Sequence, residues 1–397
     1  MFKNIKIENF RCFKSFELQQ LGRINLLVGE NNSGKTSILE AIQLLCSPTN
    51  LEPLSEMMIH RGEYFWDDND KENREFNIKH LFYGHQIELN TKFSISGTRD
   101  NILEKIDFSI QIHSISHLNA INDFLDANFN DEKNIPEDTI QQIEKMKQQL
   151  EKQVQISQNS KELDLCIEWV IEDDINKGKA IRLSPNAGLD INLLRRTFLD
   201  SINQQQKTHF ITSSSLTTQK MIELFHRVVL TDDEKLVLEA LQTIEPNIEK
   251  IASVNPYVIR NSFESRSGFV VRLSDSNQRV PIGSMGDGVW RMLGLALAIV
   301  CAKDGVLFVD EIDTGLHFTA MSDMWKLIWE TAKRLNLQVF ATTHNSDCWR
   351  SLASIAKEED AAEDGISIQR IEKDKNIAVS FNEREIVIAA EREIEVR

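Results

Sequence analysis

A glycine-rich stretch near the start of the chain, Gly29 to Thr36, has the residue types and spacing needed to bind phosphate groups. It reads Gly-Glu-Asn-Asn-Ser-Gly-Lys-Thr, which fits the phosphate-loop pattern G-x-x-x-x-G-K-S/T at every fixed position. The glycines let the backbone turn its N–H groups toward an anion. We expect Lys35 to reach the β- and γ-phosphates of a nucleotide and the Thr36 hydroxyl to bind Mg²⁺.

The residues on either side of this loop predict the elements that position it. The run Ile24 to Val28 is short and mostly apolar, which predicts a buried strand. From Ser37 to Leu45 apolar residues recur at helical spacing, and the N-terminus of a helix adds partial positive charge beside an anion. Strand, glycine loop and helix in this order form the context that the phosphate-loop motif requires.

A pair of acidic residues, Asp310 and Glu311, follows the apolar run Val306 to Val309. Consecutive apolar residues predict a strand that is buried on both faces. Ligands of open α/β sheets bind at the carboxyl ends of the strands, so we expect these acids beside the phosphate loop. Asp310 is predicted to hold Mg²⁺, and Glu311 is predicted to polarise the attacking water, because a metal-bound carboxylate is a poor base.

Two further motifs flank the acidic pair. The stretch Gly283 to Gly288 precedes an apolar helix predicted over Val289 to Cys301, and its serine and glycines suit a second anion site. One nucleotide does not need two such sites from one chain, so a second copy could bring its Ser284 and Gly286 to the γ-phosphate. The other motif is a buried strand, Val339 to His344, whose terminal histidine could hydrogen-bond that phosphate.

Length and composition limit the class of protein. The chain has 397 residues, enough for two or three domain-sized units or one domain with a large insertion. Its net charge of −16 argues against a wholly basic DNA-coating protein but leaves room for a local basic groove. No apolar run is long enough to span a membrane. The five scattered cysteines predict reduced thiols in a cytoplasmic protein, with no structural zinc.

The remaining chain shows an ordinary mixture of strand and helix patterns. Residues 51–200 are less regular than the rest, and their polar part contains one predicted helix or short hairpin at 136–154. A second helix is predicted over 231–251, and the tail from 366 is predicted to hold two strands and a terminal helix. Strands are predicted at 2–10, 87–95, 106–112, 165–171, 209–212 and 269–273. Residues 11–18 are predicted to form a turn into a second strand.

The order of these motifs resembles the ABC-type ATPase heads of the SMC, RecF and OLD group. The opening Ile7 to Phe13 and the loop Gly29 to Thr36 are very similar to the N-termini of RecF and OLD-type proteins. The chain resembles in particular the stand-alone AAA-family ATPases of bacterial anti-phage defence systems, such as the ATPase subunit of the PARIS system. The resemblance covers residues 1–50 and 205–355 well and the insertion poorly.

This resemblance implies an α/β fold, a P-loop ATPase head with a mixed sheet and a large α+β insertion. It implies three segments: 1–50 with the Walker A loop, 51–204 as the insertion, and 205–397 with the signature motif, Walker B and the switch histidine. The implied catalytic residues are Lys35, Glu311 and His344, and the metal ligands Thr36 and Asp310. The implied nucleotide-binding residues are Arg11, Asn31, Asn32, Ser33, Gly34, Lys35, Thr36, Ser37, Ser284, Gly286 and Asp287.

The sequence departs from the family pattern at several positions. The signature reads Ser-Met-Gly-Asp in place of Ser-Gly-Gly-Gln, and His317 replaces the usual aspartate of the D-loop Thr314 to His317. Either Gln86 or the stretch Ser213 to Ser215 occupies the place of the magnesium-sensing glutamine. OLD-type nucleases carry a TOPRIM domain after the switch histidine. Residues 345–397 are fewer than such a domain usually has, so we expect no nuclease domain in this chain.

The resemblance therefore implies an ATPase that forms a homodimer, or a higher oligomer, around ATP and Mg²⁺. It implies a sensor or scaffold subunit in anti-phage defence, responding to a phage-derived trigger and controlling a separate effector such as a TOPRIM-type nuclease. The alternative is a RecF-like repair ATPase that binds DNA. A transporter's nucleotide-binding subunit fits less well, because the long insertion and the Arg-Cys-Phe opening do not match that branch.

Overall fold

A computed structural model describes residues 1–65, 75–113, 162–172, 174–191, 208–254, 268–275, 278–358 and 365–396. The chain forms two compact units. The first unit contains residues 1–4, 18–39 and 205–397, and the second contains residues 5–17 and 40–204. The three-segment division at residues 50 and 204 stays a prediction, and the helix expected at 136–154 lies outside the described residues.

The main sheet of the first unit explains how the acidic pair and the phosphate loop come together. Its strands are β3 (Ile24–Val28), β10 (Thr208–Ile211), β14 (Val306–Val309), β15 (Gln338–Thr342), β16 (Ile366–Arg370) and β17 (Val379–Phe381). Their order is β10-β14-β15-β3-β16-β17. The first five are parallel and β17 is antiparallel, so the sheet is mixed. The expected α/β fold with a mixed sheet is confirmed.

Helices and a smaller antiparallel sheet complete the first unit. The helices are α3 (Thr218–Val228), α4 (Glu234–Gln242), α5 (Asp287–Cys301), α6 (Phe318–Arg334), α7 (Ser346–Glu358) and α8 (Glu383–Glu391). The small sheet contains β11 (Ile248–Ser253), β12 (Phe269–Leu273) and β13 (Arg279–Pro281). Every residue of α5 from Val289 to Val300 is buried, as expected of a helix that is apolar on all sides. This helix is therefore central to the core.

The second unit is α+β. Its six-stranded sheet has the order β2-β1-β5-β6-β7-β8, and its short strands β4 and β9 pair separately. The strands are β1 (Phe2–Phe10), β2 (Phe13–Leu18), β4 (Glu75–Asn77), β5 (Lys92–Arg99), β6 (Ile102–Ile112), β7 (Leu163–Ile171), β8 (Asp174–Arg182) and β9 (Gly188–Asp190). Helix α2 (Glu52–Arg61) belongs to this unit, and the division between the units falls within helix α1 (Lys35–Cys46). Stacked phenylalanines such as Phe93 and Phe108 form its core.

One predicted element is wrong. The helix expected over 231–251 ends at Gln242, and residues 248–253 form strand β11. Pro246 has no N–H to donate, which disfavours a helix through it, and β11 gains backbone hydrogen bonds by pairing with β12. A smaller difference concerns β5, which spans Lys92–Arg99 where 87–95 was expected. Within the described part of the chain, every helix is too short or too polar to cross a membrane.

Candidate nucleotide-binding site

The loop between β3 and α1 has the backbone conformation that the glycine pattern predicts. Gly29, Asn32 and Gly34 have φ angles of 144°, 59° and 94°, in the region that favours glycine and asparagine. A Cβ atom on Gly29 would lie 2.4 Å from the carbonyl oxygen of Ile371, so a larger residue is excluded there. Helix α1 begins at Lys35, earlier than the predicted start at Ser37, and places Lys35 and Thr36 in its first turn.

Two side chains of this loop fit a bound polyphosphate. The Lys35 ammonium group donates to the carbonyl oxygens of Gly29 and Glu30, each at 2.8 Å, and so lies across the loop. Burial lowers the pKa of Lys35, and the nearby carboxylates of Asp310 and Glu311 oppose that shift. The Ser33 hydroxyl is buried, and among the described residues it has no hydrogen-bond partner. An anion in the loop would supply one.

The loop and the acidic pair meet through a hydroxyl and a carboxylate. Thr36 Oγ1 lies 3.0 and 3.1 Å from the two carboxylate oxygens of Asp310. Thr342, at the end of β15, donates its hydroxyl to Asp310 Oδ1 at 2.6 Å. A hydroxyl and a carboxylate are oxygen ligands of the kind that Mg²⁺ prefers, so Thr36 and Asp310 fit this ion.

Glu311 has a backbone conformation that is uncommon outside glycine. Its φ angle is 48°, and its N–H donates to Thr342 Oγ1 at 2.8 Å. Its carboxylate is partly exposed, and Oε2 accepts a 3.3 Å hydrogen bond from Thr314. Non-glycine residues in this region are held by their surroundings and are frequent at functional sites. The carboxylates of Glu311 and Asp310 therefore have different partners, Thr314 for Glu311 and the hydroxyls of Thr36 and Thr342 for Asp310.

The signature residues are exposed, which suits contact with another molecule. Ser284 lies in a short 3₁₀ turn, Ile282–Met285, and α5 begins at Asp287 after Gly286, whose φ angle is 92°. The first residue of α5, Asp287, packs against Gly315 in the predicted D-loop, Thr314 to His317. A Cβ atom on Gly315 would lie 3.4 Å from Asp287 Cβ. Ser284, Gly286, Asp287 and His317 are all exposed.

Other predicted residues lie in varied environments. His344 is exposed and lies two residues after β15, at the carboxyl edge where the loop and the acids also lie. Asn31 is exposed and Ser37 is buried in α1. Arg11 belongs to the second unit, where its guanidinium group contacts carboxylates rather than standing open to a ligand. Its Nε lies 2.7 Å from Glu40 Oε2, and its Nη1 lies 2.6 Å from Glu63 Oε1.

The two candidates for the magnesium-sensing position also differ in their surroundings. Gln86 is exposed in the second unit. Ser213 to Ser215 follow β10 and lie at the carboxyl edge of the main sheet, where Thr212 and Ser215 form an isolated bridge. The structure thus brings the serine stretch, and not Gln86, into the unit that contains the loop and the acids.

Sequence reasoning missed two residues that contact the acidic pair. Arg291 of α5 donates to the carbonyl oxygens of Asp310 and Glu311, at 2.8 and 3.0 Å. Thr342 contacts both residues, as described above. An arginine inside an otherwise apolar helix is a visible signal in the sequence, because a buried charge requires partners. The identity of those partners depends on tertiary packing and is not visible.

A sequence profile of the AAA ATPase domain matches residues 1–348. The chain belongs to this ATPase family. It is 23% identical over 377 residues to a protein of Helicobacter pylori named ATP/GTP phosphatase, covering 91% of this chain and 90% of that protein. It is also 33% identical over 93 residues to the DNA replication and repair protein RecF of Clostridioides difficile, covering 23% of this chain and 21% of that protein.

Solved SMC heads are similar over most of the chain. The Smc head bound to the C-winged helix domain of ScpA is 14% identical, with a TM-score of 0.45 over 96% of this chain and 97% of that chain. The SMC head domain of Thermotoga maritima is 10% identical, with a TM-score of 0.41 over 96% and 98% of the two chains.

Proposed function

We propose that this ATPase hydrolyses ATP in a Mg²⁺-dependent reaction at the site formed by the Gly29–Thr36 loop and the acidic pair. The observation that carries the proposal is the contact of Thr36 Oγ1 with the Asp310 carboxylate, 3.0 Å away, with Glu311 next in sequence. A phosphate loop, a metal-binding carboxylate and a separate acid are the parts that phosphoryl transfer to water requires.

Each part has a distinct task in the proposed reaction. The loop N–H groups and the Ser33 hydroxyl bind the phosphates, and Lys35 exchanges its two carbonyl partners for β- and γ-phosphate oxygens. Thr36 and Asp310 would hold Mg²⁺, which would supply positive charge against the phosphate oxygens. Glu311 orients the attacking water and accepts its proton. His344 donates a hydrogen bond to the γ-phosphate.

The exposed signature residues support ATP binding between two copies of the chain. Ser284 and Gly286 stand at the start of α5, and their exposure leaves them accessible to a partner's nucleotide. Binding of ATP would close the dimer, and hydrolysis would release it. The γ-phosphate then biases a two-state equilibrium, because it contacts both copies only in the closed state.

For the biological role, we propose a sensor or scaffold subunit of an anti-phage defence system that controls a separate effector protein. Its support is the resemblance of the order of the motifs to the stand-alone ATPases of such systems, which belong to the same group as the RecF and OLD-type proteins that the opening Ile7 to Phe13 and the phosphate loop resemble. In this role the ATP-bound dimer retains the effector, and a phage-derived trigger changes the equilibrium between closed and open states. The trigger can shift this equilibrium only if it binds one of the two states more tightly than the other.

Mass in solution, measured by light scattering with and without ATP and Mg²⁺, tests the dimer. Glu311→Gln is expected to bind ATP without rapid hydrolysis and to accumulate as an ATP-dependent dimer or larger assembly. Ser284→Arg in the same background is expected to remain at the lower mass, because a bulky charge would enter the interface. If mass does not respond to ATP while hydrolysis still occurs, the assembly is constitutive and the proposed gate is wrong.

A RecF-like function in DNA repair is the second candidate, favoured by the local identity to the RecF protein over 93 residues. A protein that binds the DNA backbone releases condensed counterions from it. Because this release is less favourable when the salt concentration is high, the affinity for DNA falls steeply with salt. Salt-sensitive retention of duplex or gapped DNA at low micromolar protein would favour this function. The net charge of −16 favours the opposite outcome, in which DNA is not retained.

A further inference from the structure

The Arg291 side chain connects helix α5 to two loops at the carboxyl edge of the main sheet. It is buried, with 4% of its surface exposed. Nη1 donates to the carbonyl oxygens of Thr212 and, at 3.3 Å, Ser213. Nη2 donates to those of Asp310 and Glu311. One guanidinium group therefore fixes the turn after β14 relative to the loop after β10.

These bonds act on the residue with the uncommon backbone conformation. Arg291 holds the carbonyl group of Glu311, and Thr342 holds its N–H group. A non-glycine residue in the left-handed region is strained and persists only where its surroundings fix it. The two contacts, from α5 and β15, are positioned to supply that fixation, one at each side of the Glu311 peptide backbone.

We propose that Arg291 is a positioning residue for Glu311 and that it couples the start of α5 to the orientation of this carboxylate. The inference rests on the proposed ATP hydrolysis. Arg291 lies one helical turn after Asp287, and the intervening backbone is helical without interruption. If a nucleotide on a partner copy displaced the exposed Ser284–Gly286 turn, the first turn of α5 would move with it. Arg291 would then move the Glu311 backbone, to which it is hydrogen-bonded.

The chemistry of arginine explains why lysine is not an equivalent residue here. The planar guanidinium group presents donors in a fixed fork and can serve several carbonyl groups at once. A lysine ammonium group is a compact point charge at the end of a flexible stem. It would keep the positive charge but not the simultaneous contacts with both loops. Burial lowers the pKa of Arg291 to about 10, so it remains protonated at neutral pH.

The test compares Arg291→Lys with wild type and with Arg23→Lys. Arg23 is a matched control, because it also donates to two backbone carbonyl oxygens, Ala332 at 3.2 Å and Leu337 at 3.3 Å, away from the acidic pair. Steady-state ATP hydrolysis gives kcat and KM, and a fluorescent ATP analogue gives the nucleotide Kd. In Arg291→Lys we expect kcat to fall about tenfold to a hundredfold with Kd unchanged within about twofold.

A second pair of variants keeps the test independent of how Arg291→Lys folds. Thr342→Ser retains the hydroxyl that accepts from the Glu311 N–H and donates to Asp310 Oδ1, whereas Thr342→Val removes both contacts at nearly constant volume. Serine is expected to keep most of kcat and valine to lose it at unchanged Kd. Combining Thr342→Val with Arg291→Lys should cost less than the product of the two single effects, because both remove a contact that holds the Glu311 backbone. A cost equal to the full product would mean that valine acts through Asp310 and that Arg291 and Thr342 do not hold Glu311 together.

The outcomes separate this inference from the proposed function. If Arg291→Lys hydrolyses ATP as fast as Arg23→Lys, or loses kcat and nucleotide affinity together, Arg291 does not position Glu311. The same holds if Thr342→Val keeps the wild-type kcat. If instead Glu311→Gln hydrolyses ATP at the wild-type rate, Glu311 is not the base and the proposed function itself fails.

Discussion

At the scale of single residues, the Thr36 hydroxyl is the group whose task is easiest to isolate. Thr36→Val removes the hydroxyl at nearly constant volume, and Thr36→Ser keeps it. We expect Thr36→Val to reduce Mg²⁺-dependent ATP hydrolysis about tenfold to a hundredfold, since hydrogen bonds and ligands to charged groups contribute about 1.5–3 kcal/mol. The rate of ATP hydrolysis is measured at fixed ATP over a titration with Mg²⁺. The valine variant should need a higher Mg²⁺ concentration to reach half of its maximal rate.

The serine variant is the control for that measurement. It preserves the oxygen that lies 3.0 Å from the Asp310 carboxylate and should stay close to wild type in its Mg²⁺ requirement. If both variants lose activity equally at every Mg²⁺ concentration, the loss comes from packing in the first turn of α1. A metal role for Thr36 would then be excluded.

Arg11 was expected from the family resemblance to contact nucleotide, but its surroundings predict a role in stability. It is 6% exposed and pairs with the buried carboxylate of Glu40 and the partly buried carboxylate of Glu63. Arg11→Met leaves both carboxylates with fewer partners, and loss of one partner of a buried pair costs about 3–5 kcal/mol. Urea unfolding should therefore show a large loss of stability for Arg11→Met.

Arg61→Met is the comparison for that experiment. Arg61 pairs with Glu40 as well, at 2.7 Å, but its side chain is 34% exposed. Its removal should cost clearly less, because Glu40 then keeps its 2.7 Å ion pair with the buried Arg11. If Arg11→Met unfolds like wild type and instead weakens ATP binding, the nucleotide role of Arg11 stands.

At the scale of elements, strand β10 contains a buried titratable residue. Burial lowers the pKa of His209 from its ordinary value of 6.5 to about 4, and Lys220 adds to that shift. His209 is thus neutral in the fold, while the unfolded chain takes up a proton below pH 6.5. Because protonation of His209 favours the unfolded chain, the free energy of unfolding is unaffected by it above pH 6.5 and decreases as pH falls toward 4. The loss approaches about 3 kcal/mol.

His209→Gln tests this pH dependence through a slope. Unfolding free energies from urea titrations between about pH 4.5 and 6.5 should rise with pH less steeply in the variant, by up to about one proton. The slope is informative even if the substitution changes stability at neutral pH. Equal slopes would mean that other groups govern the acid sensitivity of the fold.

The elements around the site were predictable to different degrees. Strand β3, the loop and α1 follow from local pattern, because apolar periodicity and the glycine spacing lie within one stretch of sequence. Strand β14 likewise follows from four consecutive apolar residues. Strand β11 does not, because its conformation is decided by pairing with β12, which is not its neighbour in the sequence. The contacts of Arg291 and Thr342 with the acidic pair also join residues that are far apart in the sequence, so they could not be predicted from local pattern.

At the scale of the whole molecule, ATP should stabilise one unit selectively. The loop, the acidic pair, the signature turn and His344 all lie in the first unit. The first unit also contains four buried tryptophans, Trp290, Trp325, Trp329 and Trp349. Tryptophan fluorescence therefore reports mainly on the unit that binds nucleotide. Ligand that binds only the folded state adds about 2.7 kcal/mol at a concentration of 100 Kd.

We expect ATP with Mg²⁺ to raise the thermal midpoint seen by tryptophan fluorescence in Glu311→Gln, which retains the nucleotide. Lys35→Ala should show no such rise, because it lacks the ammonium group that the phosphates would engage. If unfolding has two transitions, only the one carrying the fluorescence change should move. A shift of both transitions would mean that the stability of the second unit depends on that of the first. Nucleotide binding in the first unit would then also stabilise the second unit.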